Sequence, residues 1–181
     1  SEVGCAIVGQ TSDIAPADKR LYSIRDVTAT VESLDLITSS ILSKKLSSGL
    51  NFLILDVKVG NGAFMTNLSD ARKLAQSLVS VANDAGCKTI AVITDMNEPL
   101  CSSVGNSLEV AAALDFLLGK EIDNRLWDIN CTLGGRLLET SGMAINFDNG
   151  YQMIAKVFEN GKAAEKFDQM VHALGGPSKF S

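Results

Sequence analysis

Residues 51–59, NFLILDVKV, constrain the fold more than any other stretch of the chain. The run FLILDV is almost continuously apolar and β-branched or aliphatic, as a strand buried in a parallel sheet is. It ends in a glycine-rich turn, GNGAF (60–64). A segment of helical period follows, from about Leu68 to Ala85, with Leu74, Leu78, Val81 and Ala82 on one face. Asn67 or Ser69 can cap its start and Gly86 stops it. KTIAVIT (88–94) reads as the next strand. Strand, helix and strand at this spacing predict an α/β fold: a mostly parallel sheet with right-handed crossover helices.

The flanking segments extend the pattern. VGCAIVG (3–9) reads as a further buried strand, parallel to the other two. QTSDIAPADKR (10–20) reads as a polar loop in which Ala-Pro-Ala-Asp can open a helical turn. Residues 26–33 read as helical despite their β-branched residues, and 34–47 more strongly so. Leu34, Ile37, Ile41 and Leu42 form an apolar stripe there, and Gly49 fits just past the end. After the loop DMNEPL, helices are predicted over 105–118, 123–141, 148–159 and 161–174, the last ended by Gly175-Gly176-Pro177. Ligands of open α/β sheets bind beyond the carboxyl ends of the strands, which directs attention to QTSDIAP, GNGAF and TDMNEP.

Composition excludes several classes of function. The 181 residues are 46% hydrophobic and 20% charged with a net charge of −5, a balance unsuited to nucleic acid or an anionic membrane. No apolar run reaches the roughly 18 residues of a membrane helix. The first stretch lacks a basic region and turns polar by Gln10, so no signal peptide is expected. Cys5, Cys87, Cys101 and Cys131 are far apart without a CxxC pair, which argues against zinc. Cys5 and Cys87 sit in apolar runs and read as buried free thiols, consistent with a reducing cytoplasm. The chain opens Ser-Glu without Met, which reads as a piece of a longer chain with Ser1 left from cloning.

The residues that can carry chemistry are few. Ser40 and Lys44 stand four apart and share a helix face; a solvated lysine is the plainer reading of that spacing. Arg25 is followed by Asp26, and a local ion pair explains it equally well. GNGAF either cradles a phosphate or lets the chain turn; it lacks the lysine of a P-loop and the third glycine of a dinucleotide fingerprint. Asp56 and Lys58 point to one side of a strand and read first as an ion pair. Asp95 follows a strand and serves as a cap or a site residue. His172, the only histidine, lies on the last predicted helix and reads as structural or surface. No Ser–His or Cys–His pair is in evidence.

Taken together, VGCAIVGQT, APADKRLYSIRDVTATVESLDLITSSILSKKL, LDVKVGNGAFM, TDMNEPL with VGNSLEV, and NGKAAEKFDQMV resemble the thymidine phosphorylase and pyrimidine-nucleoside phosphorylase family. The resemblance covers nearly the whole chain. Members of that family are more than twice as long, pair as homodimers and combine a small helical domain with a larger α/β domain. The resemblance therefore implies a central piece. Residues 1–15 would be the first strand and loop of the α/β domain, and 16–48 a helical segment of the small α domain. Residues 49–181 would be the α/β domain continuing into a helical stretch.

The implied reaction is reversible phosphorolysis of pyrimidine (deoxy)nucleosides in cytoplasmic salvage, with phosphate as co-substrate bound by a loop outside this chain. The resemblance places Arg25 and Lys44 as catalytic groups on the carbonyl edges of the base and Ser40 at N3. Ile37 would pack on the ring, Tyr22 border the pocket, and Phe64 wall base and sugar. Some members bind potassium through two backbone carbonyls and a glutamate. The matching positions are Leu100, Ser103 and Ala112, and the loss of the glutamate leaves no metal expected. Two other readings stand beside this one: an anthranilate phosphoribosyltransferase-like enzyme, and a non-catalytic module that binds a pyrimidine or dimerises. The acidic metal–pyrophosphate pattern of the former is missing, and the chain by itself is expected to be inactive.

Overall fold

The computed structural model describes residues 3–7, 9, 13–30 and 32–177. They form seven helices and a two-stranded parallel sheet. The chain divides into two compact units, Gly9–Glu98 and Ser1–Val8 with Pro99–Ser181.

The first unit contains α1 (Pro16–Thr28), α2 (Leu34–Leu46), β1 (Phe52–Val59), α3 (Leu68–Asp84) and β2 (Lys88–Asp95). β1 and β2 pair in parallel, from Phe52 opposite Lys88 to Val59 opposite Asp95, as the sequence pattern requires. Leu53, Leu55 and Val57 alternate onto the face that α3 covers and are buried with Ala71, Leu74, Leu78 and Ala82. α3 begins at Asn67, whose side chain accepts from the Asp70 N–H, and its chain leaves through Gly86 at φ 85°. Leu74, Leu78 and Ala82 of the expected stripe are buried, but Val81 is 46% exposed. The small Ala71 and Ala75, not Val81, complete the buried face of α3. The other face of β1 is not enclosed by described residues: Asp56 is exposed there and Phe52 is 38% exposed. Asp56 and Lys58 form the expected ion pair at 2.7 Å, and Lys58 also donates to Thr94, its cross-strand partner.

Two sequence expectations fail in this unit. α1 starts at Pro16, where Ala-Pro-Ala-Asp is expected to be able to open a helical turn, but runs on through Lys19 and Arg20, which read as loop. It ends at Thr28, so 29–30 and 32–33 are not helical, contrary to expectation, and Val31 lies outside the described residues. Proline at the first turn and Asp18 near the helix N-terminus favour this start. Ala29 in the left-handed region closes the helix, with the Thr30 N–H donating to the Arg25 carbonyl.

The second unit holds α4 (Asn106–Leu117), α5 (Asn124–Ser141), α6 (Phe147–Glu159) and α7 (Lys162–Ala173), close to their predicted bounds. Phe116, Trp127 and Phe158 stack edge to face and tilted, with centroids 5.2–6.1 Å apart. α5 and α6 come within backbone contact at Gly135 and Gly150. Residues 3–7 and 9 form no strand, contrary to the reading of 3–9; Val8 and residues 10–12 lie outside the described residues. Gly4 stands at φ 84°, outside the extended region a strand needs. Ile7 is 71% exposed and Cys5 is exposed, so the burial expected for that thiol is also corrected; Cys87 is buried as read. His172 lies exposed in the last turn of α7.

Candidate active site

The candidate residues of the first unit are organised by α2. Leu42 of this helix is 2% exposed in the core, with Leu34, Ile37, Ile41 and Leu46 packed against that core. The Thr38 hydroxyl meets the Ser77 hydroxyl on α3 at 2.9 Å. A second face, at spacing i, i+4 and i+8, carries Leu36, Ser40 and Lys44. α1 addresses that face with Asp18 and Arg25, seven residues apart, and Tyr22 stands between them at i+4.

The two helices run antiparallel across these rows. Near one end the Lys44 ammonium pairs with the Asp18 carboxylate at 2.6 Å; near the other the Arg25 guanidinium donates to the Leu36 carbonyl at 3.1 Å. Lys44 also donates to the Ser40 hydroxyl at 2.8 Å. Arg25 and Ser40 are 5% and 6% exposed, unusual burial for a guanidinium and a hydroxyl on short surface helices. Tyr22, half exposed, holds its ring 5.4 Å from the Arg25 guanidinium carbon, a cation–π contact.

The sequence reading singled out Arg25, Ser40 and Lys44, and the fold brings Arg25 to α2 one turn before the hydrogen-bonded Ser40–Lys44 pair. Ile37 lies a turn before Ser40 and packs toward the core. Phe64 is 56% exposed and lines a cavity of about 480 Å³ with Glu32, Leu34, Met65, Thr66, Asp70 and Lys73; none of the other five candidates lines it. Sequence reasoning placed Asp18 in a possible helix start, Ala-Pro-Ala-Asp, but gave it no part in the site. Its i, i+4, i+7 spacing with Tyr22 and Arg25 was the available signal.

The glycine turn resolves toward structure. The Gly60 N–H donates to the Met65 carbonyl, the Gly62 N–H to the Met96 carbonyl and the Asn61 N–H to the Asn97 side chain. A Cβ at Gly60 would stand 2.8 Å from the Asn97 nitrogen, at a φ of 134°. The turn thus locks the loop after β1 onto the loop after β2, with the Gly60, Asn61 and Gly62 N–H groups engaged. Asp95 accepts from Asn97 within the same loop.

In the second unit, burial pushes the Cys131 thiol up, reinforced by the Asp128 and Glu159 carboxylates, so it is held protonated and is a poor nucleophile. Burial likewise raises Tyr151, which donates to Asp128. The aromatic cluster borders a cavity of about 910 Å³ rimmed by Glu159, Glu165 and Asp168. Ser103 and Ala112 line another, of about 320 Å³. No helix among the described residues is long and apolar enough to cross a membrane.

Residues 1–164 match the model of the glycosyl transferase family, a/b domain. The chain belongs to this family. It is 56% identical over 179 residues to the thymidine phosphorylase of Colwellia psychrerythraea, an alignment covering 99% of this chain and 41% of that protein. The thymidine phosphorylase of Mesorhizobium japonicum is 55% identical over the same shares. That of Burkholderia cenocepacia is 53% identical over 98% of this chain and 40% of its own length. The resemblance to phosphorylases read from the motifs is therefore borne out. The chain spans about two fifths of the length of these relatives.

Proposed function

We propose that α1 and α2 carry the base-binding half of a pyrimidine-nucleoside phosphorylase site, and that this chain is a segment of such an enzyme. In the reaction a phosphate oxygen bonds to C1′ of the sugar as the C1′–N1 bond breaks. The electron pair of that bond leaves with the base, which then takes a proton, and the sugar becomes a 1-phosphate with inversion. Negative charge develops on the base, over two carbonyl oxygens flanking N3, and donors aimed there stabilise the transition state.

The observation that carries the reading is the bonded Ser40–Lys44 pair with Arg25 docked one turn away on the same helix. A lysine ammonium has three donors; Asp18 and Ser40 take two, which leaves one for a base carbonyl. The Ser40 oxygen has two acceptor sites; Lys44 takes one, which leaves one for N3–H. Arg25 supplies the second cation. The relatives' printed name, thymidine phosphorylase, supports the same substrate class. In the whole protein Tyr22 and Ile37 would border the ring and Phe64 wall the base and sugar. α1 and α2 would belong to a small helical domain.

Phosphate is the co-substrate in this reading. The engaged N–H groups of the GNGAF turn support a phosphate site built from other parts of the enzyme. Ala112, at the position of the family's glutamate, offers a potassium ion no charged ligand; the residues do not fit that ion and no step runs through it. A soluble cytoplasmic homodimer serving pyrimidine salvage is the corresponding cellular reading. The exposed row Leu21, Ile24 and Val27 on α1 supports a covering partner.

The test is a phosphorolysis assay on the full-length protein and on the 181-residue chain. The chain alone is expected to show no turnover, because nothing positions the phosphate. Lys44→Ala or Arg25→Ala in the full-length protein is expected to lower kcat roughly 10²–10³-fold, the range for losing one charge-stabilising donor. The KM for phosphate should change little. Near-normal kcat in Lys44→Ala returns Lys44 to a solvated lysine.

A further inference from the structure

We infer that Asp18 is a positioning residue for Lys44. Through it, α1 fixes where the ammonium points and so how well the site stabilises the departing base. The inference rests on the base-site reading of Lys44 and adds a residue to it.

A lysine side chain has four rotatable bonds and a compact charge, and binding its ammonium in one place costs rotamer entropy. Here that cost is met before any ligand arrives. The Asp18 carboxylate stands 2.6 Å from Nζ and its side chain is only 11% exposed, against 27% for Lys44. Ser40 holds the same nitrogen from its own helix at 2.8 Å. Two anchors, one from each helix, leave a single direction for the remaining N–H. Either anchor alone would let the ammonium swing about it. Asp18 is itself placed by the first turn of α1, with Pro16 fixing the helix start. Arg25, two turns on, ties the same helix to the Leu36 carbonyl. The pairing of the two helices and the aim of the lysine are thus one feature. A surface ion pair of no consequence would not be expected to combine a shielded carboxylate with a second, independent hold on the same nitrogen.

Asp18 does not touch the base and moves no proton. Its effect must therefore pass entirely through Lys44 and scale with the charge that the base develops. A thymine anion needs more stabilisation than a pyrimidine carrying an electron-withdrawing 5-substituent, which spreads the charge itself.

The experiment uses the full-length enzyme with Asp18→Asn, Asp18→Glu, Lys44→Met and the double variant Asp18→Asn/Lys44→Met. Each is assayed with thymidine and with 5-nitro-2′-deoxyuridine. Asp18→Asn is expected to lower kcat for thymidine roughly 10–100-fold, the scale of a misaligned catalytic group. The loss should be clearly smaller for the nitro nucleoside, and Asp18→Glu should recover part of it. In the Lys44→Met background the Asp18 change should have no further effect, because two groups acting as one unit are not additive. Equal losses on both nucleosides, or additive losses in the double variant, overturn the proposal and make Asp18 a structural residue. An impaired Lys44→Met beside an unimpaired Asp18→Asn overturns the proposal and leaves the base-site reading standing. An unimpaired Lys44→Met overturns both.

Discussion

Two helix pairs in this chain are joined in opposite ways. α5 and α6 meet through their backbones. A Cβ at Gly135 would lie 2.7 Å from the Tyr151 nitrogen, and one at Gly150 would lie 2.5 Å from the Gly135 carbonyl oxygen. α1 and α2 meet through the tips of long polar side chains, Asp18 to Lys44 and Arg25 to the Leu36 carbonyl. The first arrangement removes side chains to bring main chains together and gains dispersion over a continuous surface. The second joins its helices through charged and polar groups that can donate hydrogen bonds. Polar groups buried between helices are a poor way to hold a fold together, and on the base-site reading proposed above those on α1 and α2 serve chemistry rather than stability.

This contrast can be broken by substitution. The base-site variants described above remove about 3–4 kcal/mol of transition-state stabilisation on the same reasoning, with the fold retained in Lys44→Ala because that side chain is partly exposed. Gly150→Ala should do the reverse. Its methyl meets backbone that cannot step aside, so stability should fall by about 2–3 kcal/mol, and a thermal melt should shift down by roughly 5–10 °C. Turnover per folded molecule in the full-length enzyme should stay near normal. A Gly150→Ala protein with unchanged melting would show that the close backbone approach contributes nothing.

A smaller effect sharpens the other side. Ala29 closes α1 at φ 53°, a conformation that costs an L-residue about 1–2 kcal/mol. Ala29→Gly should relieve part of this and stabilise the chain by about 0.5–1 kcal/mol after the greater flexibility of glycine is counted. Chemical denaturation measures it. A loss of stability would show that the turn between α1 and α2 is not strained.

The parts of the fold that were legible in the sequence are those with a regular period. Leu53, Leu55 and Val57 alternate, and Leu74, Leu78 and Ala82 repeat at helical spacing, so β1, α3 and β2 followed directly. Residues 3–7 depart from the strand reading because an apolar run does not by itself hold the backbone extended, and Gly4 turns at φ 84°. Gly134-Gly135 within α5 carried no meaning until α6 supplied Gly150, since a close approach takes two surfaces. For the site, the four-residue spacing puts Ser40 and Lys44 on one helix face but fits a solvated lysine at least as well; the family resemblance, not the spacing, singles them out. Arg25 needed α1 to fold back onto α2, and Asp18, legible only as part of a helix start, gains a role when that fold brings it to Lys44.

The most direct measurement is a crystal structure of the full-length protein with a pyrimidine base bound. The account expects the ring against the α1–α2 face, with Arg25 and Lys44 nitrogens within about 3.2 Å of the two carbonyl oxygens and the Ser40 oxygen at a similar distance from N3. Lys44 should still be held by Asp18 in that complex. A ring bound elsewhere, with Arg25 and Lys44 keeping only their contacts to α2 and Asp18, would contradict it.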